Sequence, residues 1–579
     1  MRSLRRSISL ILLIMAAIVP VLGQKAPEYL FPVRGVSGSY SSSYGEMRTN
    51  HFHSGVDIRT DKVEGKAVIA VADGYISRIT YAPRGFGYAL YITHPDRGTM
   101  SVYGHLSRLR KDIAEYLTEA RYKEQANAKN LFPKATQFPV RQGDIIAYSG
   151  NSGSSFGPHL HYELRDTKSG HTLNPVKAGA VKAKDTIAPK ILRLHYVVVD
   201  TLIGEPKSRL IGSYTPKFEN GSYRIDSLVE LSGRGYFVVE TRDAHNNSSS
   251  RFGIYKAVVS IDGKRHFDYR IDRFAFADSR HCNIVSYYPL QRTAKCEVLR
   301  LARLPHAPSY LFRHSPTNGI VSLDEGAKAE VEIEITDSSG NGSKLHFSAL
   351  GTRYLGRPMP KLSYGAVYVD GVQEQSVVGE GFSLSLPRNA LYEPEYCRTE
   401  KLNDNSISAP SVIQLSPIYR IFAEECALNK AVKVRIATSC PTELQRCARI
   451  AAVTKEGKVR LLGGEFRNDS VEVQTRRVGD MVVVADTIAP RITARFKEGA
   501  DMRIGGVLRF SVKDNFSGIA DYKLLIDGEW RTLDLQPVKG ELVHRFDRPL
   551  KSQGVSHSVE LEVKDGCGNI STWRGKIIK

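Results

Sequence analysis

Gly157-Pro158-His159-Leu160-His161-Tyr162-Glu163-Leu164 alternates polar and apolar residues from His159 onward. In a strand, side chains alternate faces with a period of two. His159, His161 and Glu163 then share one face, and Leu160, Tyr162 and Leu164 share the other, which suits a core. Two imidazoles on one face of a rigid strand reach a single metal site, one binding the ion while the other works on its water. A second stretch, His51-Phe52-His53-Ser54-Gly55-Val56-Asp57-Ile58, supplies further ligands. If it is extended, His53 and Asp57 project the same way, and Gly55 between them leaves room for a metal or a substrate backbone. Two histidines and one aspartate make a common catalytic zinc set, with a fourth position left for water.

Three pieces together resemble the lysostaphin/LytM-type zinc endopeptidases, the M23 peptidases. They are His53-x-x-x-Asp57, Tyr103-Gly104-His105-Leu106-Ser107 and Gly157-Pro158-His159-Leu160-His161, in family order. The resemblance covers roughly residues 30–175, under a third of the chain. It implies that His53, Asp57 and His161 bind Zn2+ and that His105 and His159 are the two catalytic, non-ligand histidines. It also implies an antiparallel β-sheet domain with a groove and, as substrate, the peptide cross-links of peptidoglycan. In that reading zinc acidifies its water and polarises the scissile carbonyl. One of His105 and His159 takes the water proton and the other steadies the oxyanion, the assignment staying open. Relatives that have lost ligands lose catalysis, so a complete set favours an active enzyme. For Glu163 two readings stand side by side, an orienting partner of an imidazole and a plain surface carboxylate. His51 is read equally as a cleft residue and as a surface residue, and His94 as a surface or turn histidine.

Residues 1–23 read as a signal peptide. Arg2, Arg5 and Arg6 precede an apolar run from Ile8 to Leu22 that is short for a membrane span. That places the mature protein outside the cytoplasm, secreted or in the periplasm or cell envelope, with no stable membrane span after cleavage. At 579 residues several domains are expected. The net charge of +20 favours anionic partners such as wall polymers. Its lysines and arginines are scattered without aromatic interleaving, which argues against nucleic acid.

The mainly β reading continues along the chain. Lys66–Ile76 reads as strand, Asp73-Gly74 turn and strand, with further strands at Ala89–His94 and Ser101–His105. At about 108–132 the pattern turns helical, with Ile113, Tyr116, Leu117 and Ala120 at helical spacing. About 25–30 residues look inserted directly after His105, and a lid or substrate wall is the favoured role.

Past the peptidase region (24–180), Asp185-Thr186-Ile187-Ala188-Pro189 recurs as Asp486-Thr487-Ile488-Ala489-Pro490. Asp337-Ser338-Ser339-Gly340-Asn341 is matched by Asp565-Gly566-Cys567-Gly568-Asn569. This internal repeat predicts Ig-like β-sandwich domains at 185–349 and 486–579, flanking a β-rich region at 350–485 with a loop near Asn403–Ser406. The Asp-x-x-Gly-Asn pieces lack the ligand series of a calcium loop and read as β-turns. Cys282 with Cys296, and Cys440 with Cys447, are disulfide candidates by proximity. The reading as a whole is a secreted zinc endopeptidase whose β-sandwich tail offers a surface to an envelope protein partner. The alternative is a non-catalytic protein that docks wall peptides or activates a partner hydrolase.

Overall fold

The structure, a computed structural model, describes residues 28–182, 184–199, 208–246, 248–355, 367–397, 399–402, 406–422 and 426–579. The proposed signal peptide and residues 403–405 of the expected loop lie outside the described residues. No helix among the described residues is long and apolar enough to cross a membrane. The chain is mainly β, an M23-type antiparallel sheet followed by β-sandwiches.

The first sheet carries the strands in the order Tyr40–Ser42, Val56–Arg59, His159–Asp166, Thr99–Leu106, Tyr88–His94, Gly74–Tyr81 and Lys129–Leu131. Alternation explains its core: Leu160, Tyr162 and Leu164 are all fully buried, as are Leu90, Ile92 and Tyr103 on neighbouring strands. Thr172–Leu173 adds to one edge of His159–Asp166 and in turn pairs with Arg273–Phe274, so the next unit is stitched to the peptidase sheet. The strands between residues 190 and 352 form four- and seven-stranded sheets, those between 375 and 485 five- and six-stranded sheets, and the last 90 or so residues four- and five-stranded sheets. Two pairs depart from antiparallel order: Ser222–Ser232 with Gly342–Thr352, and Ala500–Asp501 with Ile570–Ile578. All seven cysteines are free thiols. The expected Cys282–Cys296 and Cys440–Cys447 bridges do not form, because the sulfurs face different partners. Cys296 Sγ faces Glu240, for example, while Cys282 Sγ faces Asn283.

The inserted helix spans Lys111–Glu124 and ends at Gln125 in the left-handed region. The insertion is helical only there; Arg108–Leu109 and Lys129–Leu131 are strands that join the two peptidase sheets. Ile113, Leu117 and Arg121 bury one face at four-residue spacing. Ile113 and Leu117 pack into the core of the first domain, and of the three only Arg121, at the helix end, reaches the last domain. No helix residue lines the cleft around His159. The lid expectation is therefore corrected. Arg121 Nη2 donates to Asp534 Oδ1 at 2.8 Å, and Nη1 to the Tyr88 hydroxyl at 3.1 Å. Asn127 adds a two-way bond, donating to the Tyr522 carbonyl at 3.1 Å and accepting from the Leu533 amide at 2.8 Å. Trp530 sits edge-on to Tyr122 at 5.3 Å. The far end of the chain thus folds back onto the first domain through the insertion.

Removing one partner of a buried ion pair strands the other, at about 3–5 kcal/mol. Arg121→Ala should therefore loosen the last domain, lowering the thermal midpoint and exposing the 486–579 segment to limited proteolysis. An unchanged melting curve and digestion pattern would contradict this account of the interface.

Candidate metal centre and cleft

The register of two strands builds the centre. Asp57 lies opposite His161, and Arg59 opposite His159. His161 Nδ1 is 2.9 Å from Asp57 Oδ1, His53 Nε2 is 3.1 Å from the same oxygen, and the two imidazole nitrogens are 3.1 Å apart. All three side chains are buried, and their ligand atoms lie within 4.8 Å of one another. Each outer atom is already engaged. His53 Nδ1 meets the Ser43 carbonyl at 2.8 Å, His161 Nε2 meets Glu163 Oε1 at 3.0 Å, and Arg48 Nη2 donates to Asp57 Oδ2 at 2.7 Å. These partners fix each ring's orientation and leave His53 Nε2, His161 Nδ1 and Asp57 Oδ1 facing one another. Gly55 does not leave room for a metal or a substrate. A Cβ there would lie 2.3 Å from the Tyr162 carbonyl oxygen, so its absence lets the two strands close.

His105 and His159 stand beside this group, their rings 4.8 Å apart. Both are held through Nδ1 against a backbone carbonyl, His105 at Ser152 and His159 at Gly157, each at 2.8 Å. Nε2 is left as the working nitrogen of each, and that of His159 is 3.6 Å from Asp57 Oδ1. His105 has φ 60°, a left-handed backbone rare outside glycine. Strain of that kind, about 1–3 kcal/mol, collects at functional sites.

The electrostatics favour a cation. Burial pushes His53 down to about 4, so it is neutral and offers a lone pair. Burial, then the neighbouring His159 and His161, push His105 down to about 3. Burial acts against the charge on His161 as well, but hydrogen bonds to the Asp57 and Glu163 carboxylates outweigh it and hold His161 up at about 9. Glu163, despite burial, is brought down to about 2 by its bond to His161 and by Arg165. Asp57 likewise lies well below the usual carboxylate range despite burial, through His53 and His161. A proton thus sits on His161 between two buried carboxylates, where the same field would favour a metal ion. The donor set therefore fits a divalent metal.

A cleft of about 750 Å³ opens above the group, lined by Asp57, His105 and His159 and rimmed by Arg48, Lys62 and Phe156. Phe156 is 91% exposed, a large apolar surface at the mouth. Of the two readings of Glu163, the structure shows the orienting one; it is fully buried and bonded also to Ser54 and Arg165. The signal was present in the same-face spacing of His161 and Glu163. Arg48, Ser43, Ser152 and Phe86, which stacks on His161 at 4.8 Å, carried no local signal. His51 is exposed and does not line the cleft. His94 is buried rather than at the surface, bridging the Asp73 carbonyl and the Ser101 hydroxyl at 2.8 Å each.

Glu163→Gln keeps the shape and removes the charge behind His161. Losing such a partner typically lowers metal affinity 10–100-fold. A metal titration should show that drop with the fold intact, and unchanged affinity would contradict the orienting role.

Residues 51–119 match Peptidase family M23, and residues 367–486 match a Zu5-like domain. An "Uncharacterized metalloprotease" of Haemophilus influenzae is 36% identical over 124 residues, 21% of this chain and 20% of that protein. The "DD-carboxypeptidase/endopeptidase Mpg" of Neisseria gonorrhoeae is 33% identical over 146 residues, 25% of this chain and 26% of that protein. The chain therefore matches only about a fifth to a quarter of these relatives' length. Among solved structures, a catalytic-domain mutant of the prophage-encoded M23 protein EnpA from Enterococcus faecalis is 28% identical. It covers 26% of this chain and 96% of its own, with a TM-score of 0.18. The lysostaphin catalytic domain from Staphylococcus simulans is 23% identical, covers 24% and 89%, and has a TM-score of 0.17. The chain carries a peptidase M23 domain.

Proposed function

We propose that this protein is a zinc-dependent endopeptidase that cleaves peptide cross-links of peptidoglycan outside the cytoplasm. The observation that carries the proposal is the convergence of His53 Nε2, Asp57 Oδ1 and His161 Nδ1 beside an open cleft that Asp57, His105 and His159 line. Zinc held by these three residues would supply Lewis acidity toward a water and the scissile carbonyl.

The remaining chemistry falls to the chain. His105 is neutral and its Nε2 is available, so it can accept a proton or donate one to a developing oxyanion. His159 offers the same atom from the opposite side of the pair. The carbonyls of Ser152 and Gly157 hold both rings so that neither turns its Nε2 away. Phe156 gives an extended peptide an apolar rest, while Lys62 suits its carboxylates. The relatives named metalloprotease and DD-carboxypeptidase/endopeptidase support this substrate class. Export rests on the basic and apolar character of residues 1–23.

The test is digestion of purified cross-linked muropeptides by the zinc-loaded chain, followed by mass spectrometry. Cross-linked dimers should fall to monomers with new amino ends. Binding of the dimers without cleavage would overturn the enzyme reading in favour of a docking protein.

A further inference from the structure

The two copies of the internal repeat place the same three aspartates at equivalent points. In the first copy, Lys190, five residues past Asp185, pairs with Arg242, just before Asp243. In the second, Arg491, five past Asp486, pairs with Lys513, just before Asp514. The third aspartate of each copy, Asp337 or Asp565, opens the Asp-x-x-Gly-Asn turn. The turn asparagine donates back to the first aspartate's carbonyl in both, Asn341 to Asp185 at 3.2 Å and Asn569 to Asp486 at 2.9 Å. Three carboxylates from distant segments are thereby brought near one another in each copy, although only in the second do all three ligand atoms come within 4.8 Å of one another.

The turn reading accounts for part of this. Asp565 Oδ1 accepts the amides of Cys567 and Asn569, and Asp337 Oδ1 those of Gly340 and Asn341. It does not account for the middle aspartates. Asp243 is only 2% exposed, yet neither of its oxygens has a hydrogen-bond partner. In the second copy Asp514 Oδ2 accepts two backbone amides, but its buried Oδ1 has no partner. The ligand atoms of Asp486, Asp514 and Asp565 lie within 4.8 Å of one another. Among the described residues no lysine or arginine pairs with any of the six aspartates. Arg446 and Arg449 lie nearby but reach the Cys567 and Gly566 carbonyls instead. His245 is 3.4 Å from Asp185, but burial lowers its affinity for a proton.

Buried carboxylates without a countercharge are expensive and are found paired or on metals. Oxygen-only donors of this kind suit a hard divalent cation, and three irregularly placed carboxylates suit calcium better than octahedral magnesium. We propose that each repeat holds one calcium-class ion, between Asp185, Asp243 and Asp337 in the first copy and between Asp486, Asp514 and Asp565 in the second. Each ion ties together a repeat's entry segment, the end of its second strand and its closing turn. Asp486 directly follows the Gly479–Ala485 strand of the preceding sheet, so the second ion also fixes how the last domain leaves its neighbour. Asp243 also lines a cavity of about 410 Å³.

The test is a calorimetric titration of the full chain in calcium-free buffer with calcium chloride, to about 1 mM, the weak end for extracellular modules. Wild type should take up two ions, Asp243→Asn and Asp514→Asn one each, and the double variant none. Melting without calcium separates an ion site from a structural turn. Each Asn variant should then be at least as stable as wild type, because it removes a carboxyl whose ionisation burial opposes, and should lose part of the calcium-dependent rise in midpoint. No binding by wild type, or two ions in both single variants, would overturn the proposal. Uptake of one ion, lost in only one variant, would overturn it for the other repeat. Variants destabilised equally with and without calcium would show that the aspartates serve turns alone.

Discussion

His161→Ala should purify without stoichiometric zinc and without hydrolytic activity. His161 Nδ1 meets both other candidate ligands, so its loss opens the group on two sides at once. It also takes one of the two partners from the fully buried Glu163 Oε1, which keeps only the Ser54 hydroxyl. The fall in zinc affinity should exceed the roughly 10–100-fold typical of losing an outer partner. Metal analysis and turnover on one preparation, with circular dichroism as the folding control, check this. Stoichiometric zinc with full activity in the variant would remove His161 from the metal set.

His105→Ala and His159→Ala should behave differently, keeping zinc while losing rate by about 10²–10⁴-fold, the usual share of acid–base catalysis. Neither ring belongs to the three-residue group, and each is oriented by a carbonyl rather than by the group itself. Loss of zinc in His159→Ala, with zinc retained in His161→Ala, would exchange the roles of the two strand histidines.

Where alternation was strict, the fold was legible. His159 to Leu164 announced one polar and one core face, and the strand register then brought His161 opposite Asp57. Short-range order of this kind is written in period-two spacing. The partners that set the rings were less legible, because Ser43, Arg48 and Ser152 come from turns and edges with no periodic signal. Gly55 was misread because a glycine in a strand signals close approach without saying what approaches; here it is the Tyr162 carbonyl. The helix at Lys111–Glu124 was legible from its spacing, but its destination was not. Its contact with Asp534 joins residues over four hundred positions apart. The aspartate triads failed for the same reason. A calcium loop is a local pattern, whereas these carboxylates meet only after three segments fold together.

The most direct test of the central claim is a zinc titration of metal-free protein, following cleavage of cross-linked muropeptides at each addition. Activity should rise from near zero and break at one zinc per chain, and the same titration of His161→Ala should stay flat. Full cleavage by the metal-free chain, or a rise in His161→Ala matching wild type, would contradict the assignment of the reaction to the His53, Asp57 and His161 centre.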